Sequence, residues 1–240
     1  MSFRHSVTIV ASPRPRVGKT LLARLLIDFQ IHEDRAVAGF DLNAGEGTLA
    51  KFAPESTTVA EIGDIRGQMA LFDRLVADDD AVKIVDLGHA RFEEFFALAQ
   101  QIGFAEEARR RHIAPSVLFI ATPDATSVEA YARLRRRLPE MILTPVHNEL
   151  LGTGQLRDKY PVATVGSSQL RFPVLAPGLR KYIETPPFSF SDEHLANARN
   201  IPIDIHIELQ RWLRKNYVEF RELDLAILLN DLQGSIRLTS

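Results

Sequence analysis

Short apolar runs rich in β-branched residues alternate along the first two thirds of the chain with stretches whose apolar residues recur at helical spacing. SVTIVAS (residues 6–12) predicts a buried strand, and Leu22, Leu25, Leu26 and Phe29 then fall at i, i+3, i+4 and i+7 of a helix. AVAGFD (36–41) predicts a second strand, a helical stretch spans about 68–76, and AVKIVDLG (81–88) predicts a third strand. Between them Asp78, Asp79 and Asp80 read as a solvated turn. Phe92, Phe95, Ala99 and Ile102 mark the next amphipathic helix. SVLFIAT (116–122) is the most apolar strand, followed by a helix with Val128, Tyr131, Leu134 and Leu138 on one face. EMILTPV (140–146) and PVATVG (161–166) complete six predicted strands. Strands of this kind alternating with helices predict a doubly wound α/β fold, a mostly parallel sheet flanked by helices.

The pattern changes after about residue 170. FPVLAPGLRKYIETPPFSFSDE carries four prolines and reads as an irregular surface connection, after which Ser191 and Asp192 can cap a helical tail. In that tail Ile205, Leu209, Trp212, Leu213, Tyr217 and Phe220 form one apolar stripe. The expected organisation is an α/β domain over 1–185 and a helical C-terminal extension over 186–240. That extension packs on the domain or on a partner, a second copy of the chain or another protein.

Composition narrows the picture. The 240 residues are 45% hydrophobic and 25% charged, as in a globular chain able to bury a large core. A net charge of −2 argues against a global polyanion binder. The absence of cysteine excludes disulfides, thiolate metal sites and cysteine nucleophiles. The first apolar run is too short for a membrane span and shows no cleavage pattern, so a cytoplasmic location is expected.

Between the first strand and the first helix lies SPRPRVGKT (12–20). A phosphate-binding loop has the form G-x-x-x-x-G-K-[ST], and here Gly18, Lys19 and Thr20 are in place while Pro13 stands at the first glycine. Such a loop works through successive main-chain N–H groups aimed at phosphate oxygens, helped by the positive end of the next helix. The donors come from the second half of the motif, Arg16, Val17, Gly18, Lys19 and Thr20, none of which is proline. Pro13 and Pro15 therefore remove N–H groups where the loss matters least.

On these residues the chain resembles the ParA/MinD group of P-loop ATPases, whose loop has the form x-K-G-G-x-G-K-[ST]. Arg14 falls where that family has a lysine that reaches a partner's nucleotide, and Pro15 and Arg16 replace the paired glycines. VAGFDLNAGEGTLAKF is similar to the family's second-strand segment, with Asp41 at its first carboxylate and Asn43 at its second. VKIVDLG is similar to the Walker B strand, with Asp86 as the acidic residue; LTPVHN resembles the segment whose asparagine, here Asn148, approaches the base. The likeness covers about residues 5–185.

The resemblance implies ATP and Mg²⁺. Lys19 would pair with the terminal phosphates, Thr20 and Asp86 would hold the metal, and Asp41 would lie on the γ-phosphate side. Arg14, Lys19, Asp41 and Asn43 are thus the candidate catalytic residues. Asn43 hydrogen-bonds but cannot act as a base, so the expectation is a nucleotide-dependent switch that dimerises and positions a cargo, with slow or absent hydrolysis. The alternative is a scaffold of the same fold that binds a protein partner without nucleotide. Two arginine runs, 109–111 and 135–137, suggest DNA backbone, but Glu106 and Glu107 beside the first favour a solvated helix face. The seven histidines show no metal-ligand spacing, and the tail is too acidic for a basic membrane helix.

Overall fold

The computed structural model describes residues 5–43, 48–152, 158–162, 169–190 and 201–237. Seven strands form one sheet: β1 (His5–Ala11), β2 (Val37–Leu42), β3 (Thr57–Val59), β4 (Val82–Leu87), β5 (Ile113–Ile120), β6 (Ile142–Asn148) and β7 (Leu170–Phe172). Their order is β3-β2-β4-β1-β5-β6-β7, and every pairing is parallel. The helices are α1 (Lys19–His32), α2 (Thr48–Phe52), α3 (Ile65–Leu75), α4 (Phe92–Gln101), α5 (Phe104–Arg110), α6 (Ala125–Arg137), α7 (Pro177–Ile183) and α8 (Ile203–Arg237).

Strand alternation sorts the core into two layers. Val7, Ile9, Val85, Val117 and Phe119 face α3, α4, α5 and α6, whereas Val10, Ile84, Leu118 and Ile120 face α1, α7 and α8. Apolar runs on central strands are thereby explained: both faces are covered. Pro115 and Pro145 fit inside strands because each precedes, by one residue, the start of the outer ladder. Pairing of β5 to β6 begins at Ser116, and pairing of β6 to β7 begins at Val146.

Several sequence expectations need correction. The edge strand β3 was not expected; it has three residues, and only Thr57 is half-buried, so it carries little apolar signal. The strand expected over 161–166 begins at Pro161 and Val162, which have no regular structure, and its remainder lies outside the described residues. The last strand is instead β7, which ends at Phe172, the first residue of the stretch read as irregular. That stretch also contains α7, whose Pro177 occupies the first helical turn, where a missing N–H costs nothing. The turn at 78–80 is not merely solvated: fully buried Lys83 sends its ammonium to Asp79 and to the Ala77 carbonyl, 2.7 Å away. Ser191 and Asp192 lie outside the described residues.

The stripe read in the tail is the buried face of α8: Leu209, Trp212, Leu213, Tyr217 and Phe220 join the core layer that contains α1 and β7. The Trp212 indole donates to the Pro173 carbonyl at 3.0 Å, and the Phe29 ring meets Tyr217 and Phe220 at 5.3 and 5.4 Å. With α2, α7 and α8 around it, α1 is buried on nearly every side. Arg24 within it stacks on the Phe52 ring at 3.7 Å and donates to the Ile183 carbonyl. The loop that begins α1 is therefore held on a rigid support.

Candidate functional site

The loop joins the C-terminal end of β1, at the centre of the sheet, to the N-terminus of α1. Its path needs two left-handed residues, Arg16 at φ 57° and Gly18 at φ 99°. Glycine adopts that region freely; an arginine there is strained by about 1–2 kcal/mol. Gly18 also leaves little room for a side chain, since an added Cβ would lie 3.1 Å from Asn148 Nδ2 and 3.3 Å from Phe172. Among the described residues, the main-chain N–H groups of Arg16 to Thr20 donate to no carbonyl or side chain. Helix geometry leaves the first-turn donors of α1 free, and the left-handed residues aim those before them.

Lys19 is buried, and its Nζ donates to the Arg14 carbonyl at 2.6 Å. Burial lowers its pKa, opposed by the charge of Asp86. Arg14 is fixed by its own chain: its guanidinium binds Asp124 Oδ1, with Nε at 2.9 Å. Asp124 also accepts from Thr122 Oγ1 at 2.6 Å and caps α6 through Ser127 N at 3.1 Å. The Arg14 hydrogen bond, helped by the other two, holds this carboxyl well below the usual carboxylate range.

Asp41 and Asp86 are register partners across β2 and β4, so both carboxylates project from the same face, beneath α1. Both are fully buried. Asp41 accepts from the Asn43 and Ala50 main-chain N–H groups, each at 3.0 Å, and does not line the cavity described below. The Asn43 amide bridges the pair, donating at 2.8 Å to both Asp41 Oδ1 and Asp86 Oδ2. A third carboxylate at this position would add repulsion; an amide removes it. Gly88 allows this approach, because a Cβ there would come within 2.8 Å of the Leu42 carbonyl. Thr20 Oγ1 also donates to Asp86 Oδ2, at 2.6 Å, while Asp86 Oδ1 is buried with no partner. Burial first, and the Asp41 charge after it, push Asp86 up to about 6 against its hydrogen bonds. Like Asp41, Asp86 does not line the cavity described below, but its unsatisfied oxygen, on the carboxylate that the cavity residue Thr20 engages, suits a divalent cation, which takes few protein ligands when phosphates supply the others.

Pro15, Arg16, Gly18, Lys19, Thr20, Asn43, Thr48 and His89 line one cavity of about 550 Å³. A second, of about 280 Å³, is lined by Arg16, Val17, Gly18 and Asn148 together with residues of β7 and α7. Asn148 is already engaged: Nδ2 donates to the Val17 carbonyl at 2.9 Å, and Oδ1 accepts from Leu150 N at 3.0 Å. It ties β6 to the loop. Thr48 was missed as a cavity residue, because no spacing in the sequence connects it to the loop; His89 carries one signal, its place three residues after Asp86, which by itself reads as an ordinary loop residue. The arginine runs lie elsewhere. Arg109 donates to the Glu140 carbonyl, Arg110 and Arg111 pair with Glu107, and Arg135, Arg136 and Arg137 are exposed at the end of α6.

No protein-family model and no curated protein matches the sequence. Among solved structures the chain is similar to the MinC:MinD cell division protein complex of Aquifex aeolicus. The TM-score is 0.48 at 14% identity, over 88% of this chain and 96% of that one. It is also similar to a nucleotide-binding protein of Archaeoglobus fulgidus in complex with ADP, with TM-score 0.46 and 12% identity over 85% of this chain and 88% of that one. The seven-stranded parallel sheet, with its G-K-T loop between the central strand and the first helix, is the doubly wound α/β fold expected from the sequence. No helix among the described residues is long and apolar enough to cross a membrane.

Proposed function

We propose that this protein is a ParA/MinD-like nucleotide-dependent switch. It binds a nucleoside triphosphate with Mg²⁺, ATP by the resemblance, dimerises in that state and turns the nucleotide over slowly or not at all. The observation that carries the reading is one cavity lined by Arg16, Gly18, Lys19 and Thr20, whose main-chain N–H groups are free, with the Thr20 hydroxyl donating to the fully buried Asp86 carboxylate behind that lining. The amides of Arg16 to Thr20 bind phosphate oxygens, Lys19 leaves the Arg14 carbonyl for the terminal phosphates, and Thr20 with Asp86 holds the cation. The cation supplies charge neutralisation between the terminal phosphates.

Slow turnover follows from the neighbours. Asn43 has no proton-accepting carboxylate to offer an attacking water, and the Asp41 oxygens are occupied by the main chain and by Asn43. The Arg14 charge is neutralised within its own chain by Asp124. A second reading, a scaffold that takes a protein partner without nucleotide, draws on the outer face of α8, where Ile207, Val218, Leu225, Leu228 and Leu229 are exposed. Thermal unfolding with Mg-ATP and Mg-GTP separates the two. A nucleotide at about 100 times its Kd adds roughly 2.7 kcal/mol to the first and nothing to the second. Phosphate release from the bound triphosphate, with light scattering to give the mass, tests slow turnover and dimerisation in the same sample.

A further inference from the structure

The loop and the first residue of α1 carry three basic side chains, Arg14, Arg16 and Lys19, and two of them are already engaged. The Arg14 guanidinium pairs with Asp124, and the Lys19 ammonium donates to the Arg14 carbonyl. Arg16 is different. It lines both cavities and is exposed. Among the described residues no hydrogen bond or ion pair holds its side chain, although Glu184 lies on the wall of the second cavity. Its main chain is also held at φ 57°, in the left-handed region where the neighbouring position 18 has a glycine. A glycine at position 16 would follow the same path without strain. Strained residues of this kind cluster at ligand clamps, where the side chain has a use that offsets the strain.

From this we propose that Arg16 is a phosphate-binding residue, whose guanidinium closes over the phosphates of a nucleotide held by the same chain. The need for a second cation beside Lys19 follows from charge. A triphosphate remains negative after it takes up Mg²⁺, and the Asp41 and Asp86 carboxylates stand buried behind the loop. Lys19 offsets only part of that charge, and Arg14 is paired elsewhere. The Arg16 fork brings several N–H donors for phosphate oxygens to the junction of the two cavities. A contact made equally to the bound triphosphate and to the transition state adds affinity and no rate, in keeping with slow turnover. Nucleotide binding is then complete in a single copy, and dimerisation follows it without supplying charge to the site. The inference rests on the loop holding phosphates, and it adds how that site is neutralised.

The test is equilibrium binding of Mg-pyrophosphate and Mg-ATP to the full chain and to its Arg16→Gly and Arg16→Ala variants. Both variants keep the main-chain N–H, so a change in affinity belongs to the guanidinium. Each is expected to lose about tenfold or more in affinity for either ligand. Without ligand, Arg16→Gly is expected to melt about 2–4 °C above Arg16→Ala and no lower than the parent, since only glycine relieves the left-handed strain. Parent affinity is expected to stay constant at protein concentrations about a hundredfold apart, as mass action requires of a site complete in one copy. Variants that bind pyrophosphate as tightly as the parent would overturn the role of Arg16 and leave the phosphate site standing. Arg16→Gly melting below the parent would make Arg16 a residue that holds the loop, and affinity that rises with protein concentration would return the missing charge to a second copy. Either result overturns the inference. If the parent binds neither ligand, the phosphate reading falls with it.

Discussion

Asp86 is the most informative single perturbation. Its carboxylate is fully buried, faces Asp41 and leaves one oxygen unsatisfied, and its pKa is pushed up from 3.8 to about 6. Between those values the folded protein keeps a proton that the unfolded chain has released, so stability falls as pH rises. The contribution is complete below about pH 3.8 and is lost as pH passes through about 6. A shift of about two units is worth about 3 kcal/mol. Asp86→Asn removes the titration and nearly preserves the shape. Without ligand, the variant should match the parent near pH 4 and exceed it by about 3 kcal/mol at pH 8, some 6–12 °C in Tm for a chain of this size. Asp224, raised by burial, and Asp79 and Glu107, lowered by hydrogen bonds from Lys83 and Arg111, titrate in both proteins, so the difference between the two curves isolates Asp86. Paired thermal melts from pH 4 to 8 make the measurement. A pH-independent difference, or a variant less stable at pH 8, would refute the reasoning. Mg-nucleotide should reverse the ranking, because only the parent can use the freed oxygen.

Further perturbations address neighbouring parts of the account. Asn43→Asp places a third carboxylate on Asp41 and Asp86 and should lower stability at pH 8 by about 1–3 kcal/mol, with recovery near pH 5, as read from denaturant midpoints. Gly18→Ala forces a side chain into a left-handed residue against Asn148 and Phe172; a cost of about 1–3 kcal/mol and loss of nucleotide-induced stabilisation are expected in thermal melts. Asp124→Ala removes the α6 cap and frees Arg14, which should cost about 1–2 kcal/mol in chemical denaturation. Phe220→Ala empties the contact between α8 and α1 and should cost about 3–5 kcal/mol, a loss that would be absent if α8 were independent of the sheet.

How legible the molecule is in its sequence follows from the physics of each part. The central strands were visible because burial on both faces makes them continuous apolar runs, and the stripe in α8 because helical spacing survives in any context. Edge elements were not: Thr57–Val59 and Leu170–Phe172 have three residues each, too few to show alternation. Lys19, Thr20 and Asp86 could be found from local motifs. The meeting of Asp41 with Asp86 could not, since it depends on the register of two strands 45 residues apart in sequence. That register supplies a reason for Asn43 that a motif alone presents only as a departure. The holding of Arg14 by Asp124, across 110 residues, was hidden in the same way.

The central claim is that the amides of Arg16 to Thr20 receive phosphate oxygens. Two-dimensional ¹H–¹⁵N NMR during a titration with Mg-pyrophosphate measures it residue by residue. The account expects large downfield amide-proton shifts concentrated at Arg16, Val17, Gly18, Lys19 and Thr20, and their loss in Lys19→Ala. Unmoved loop amides at saturating pyrophosphate, or shifts confined to other parts of the chain, would contradict it.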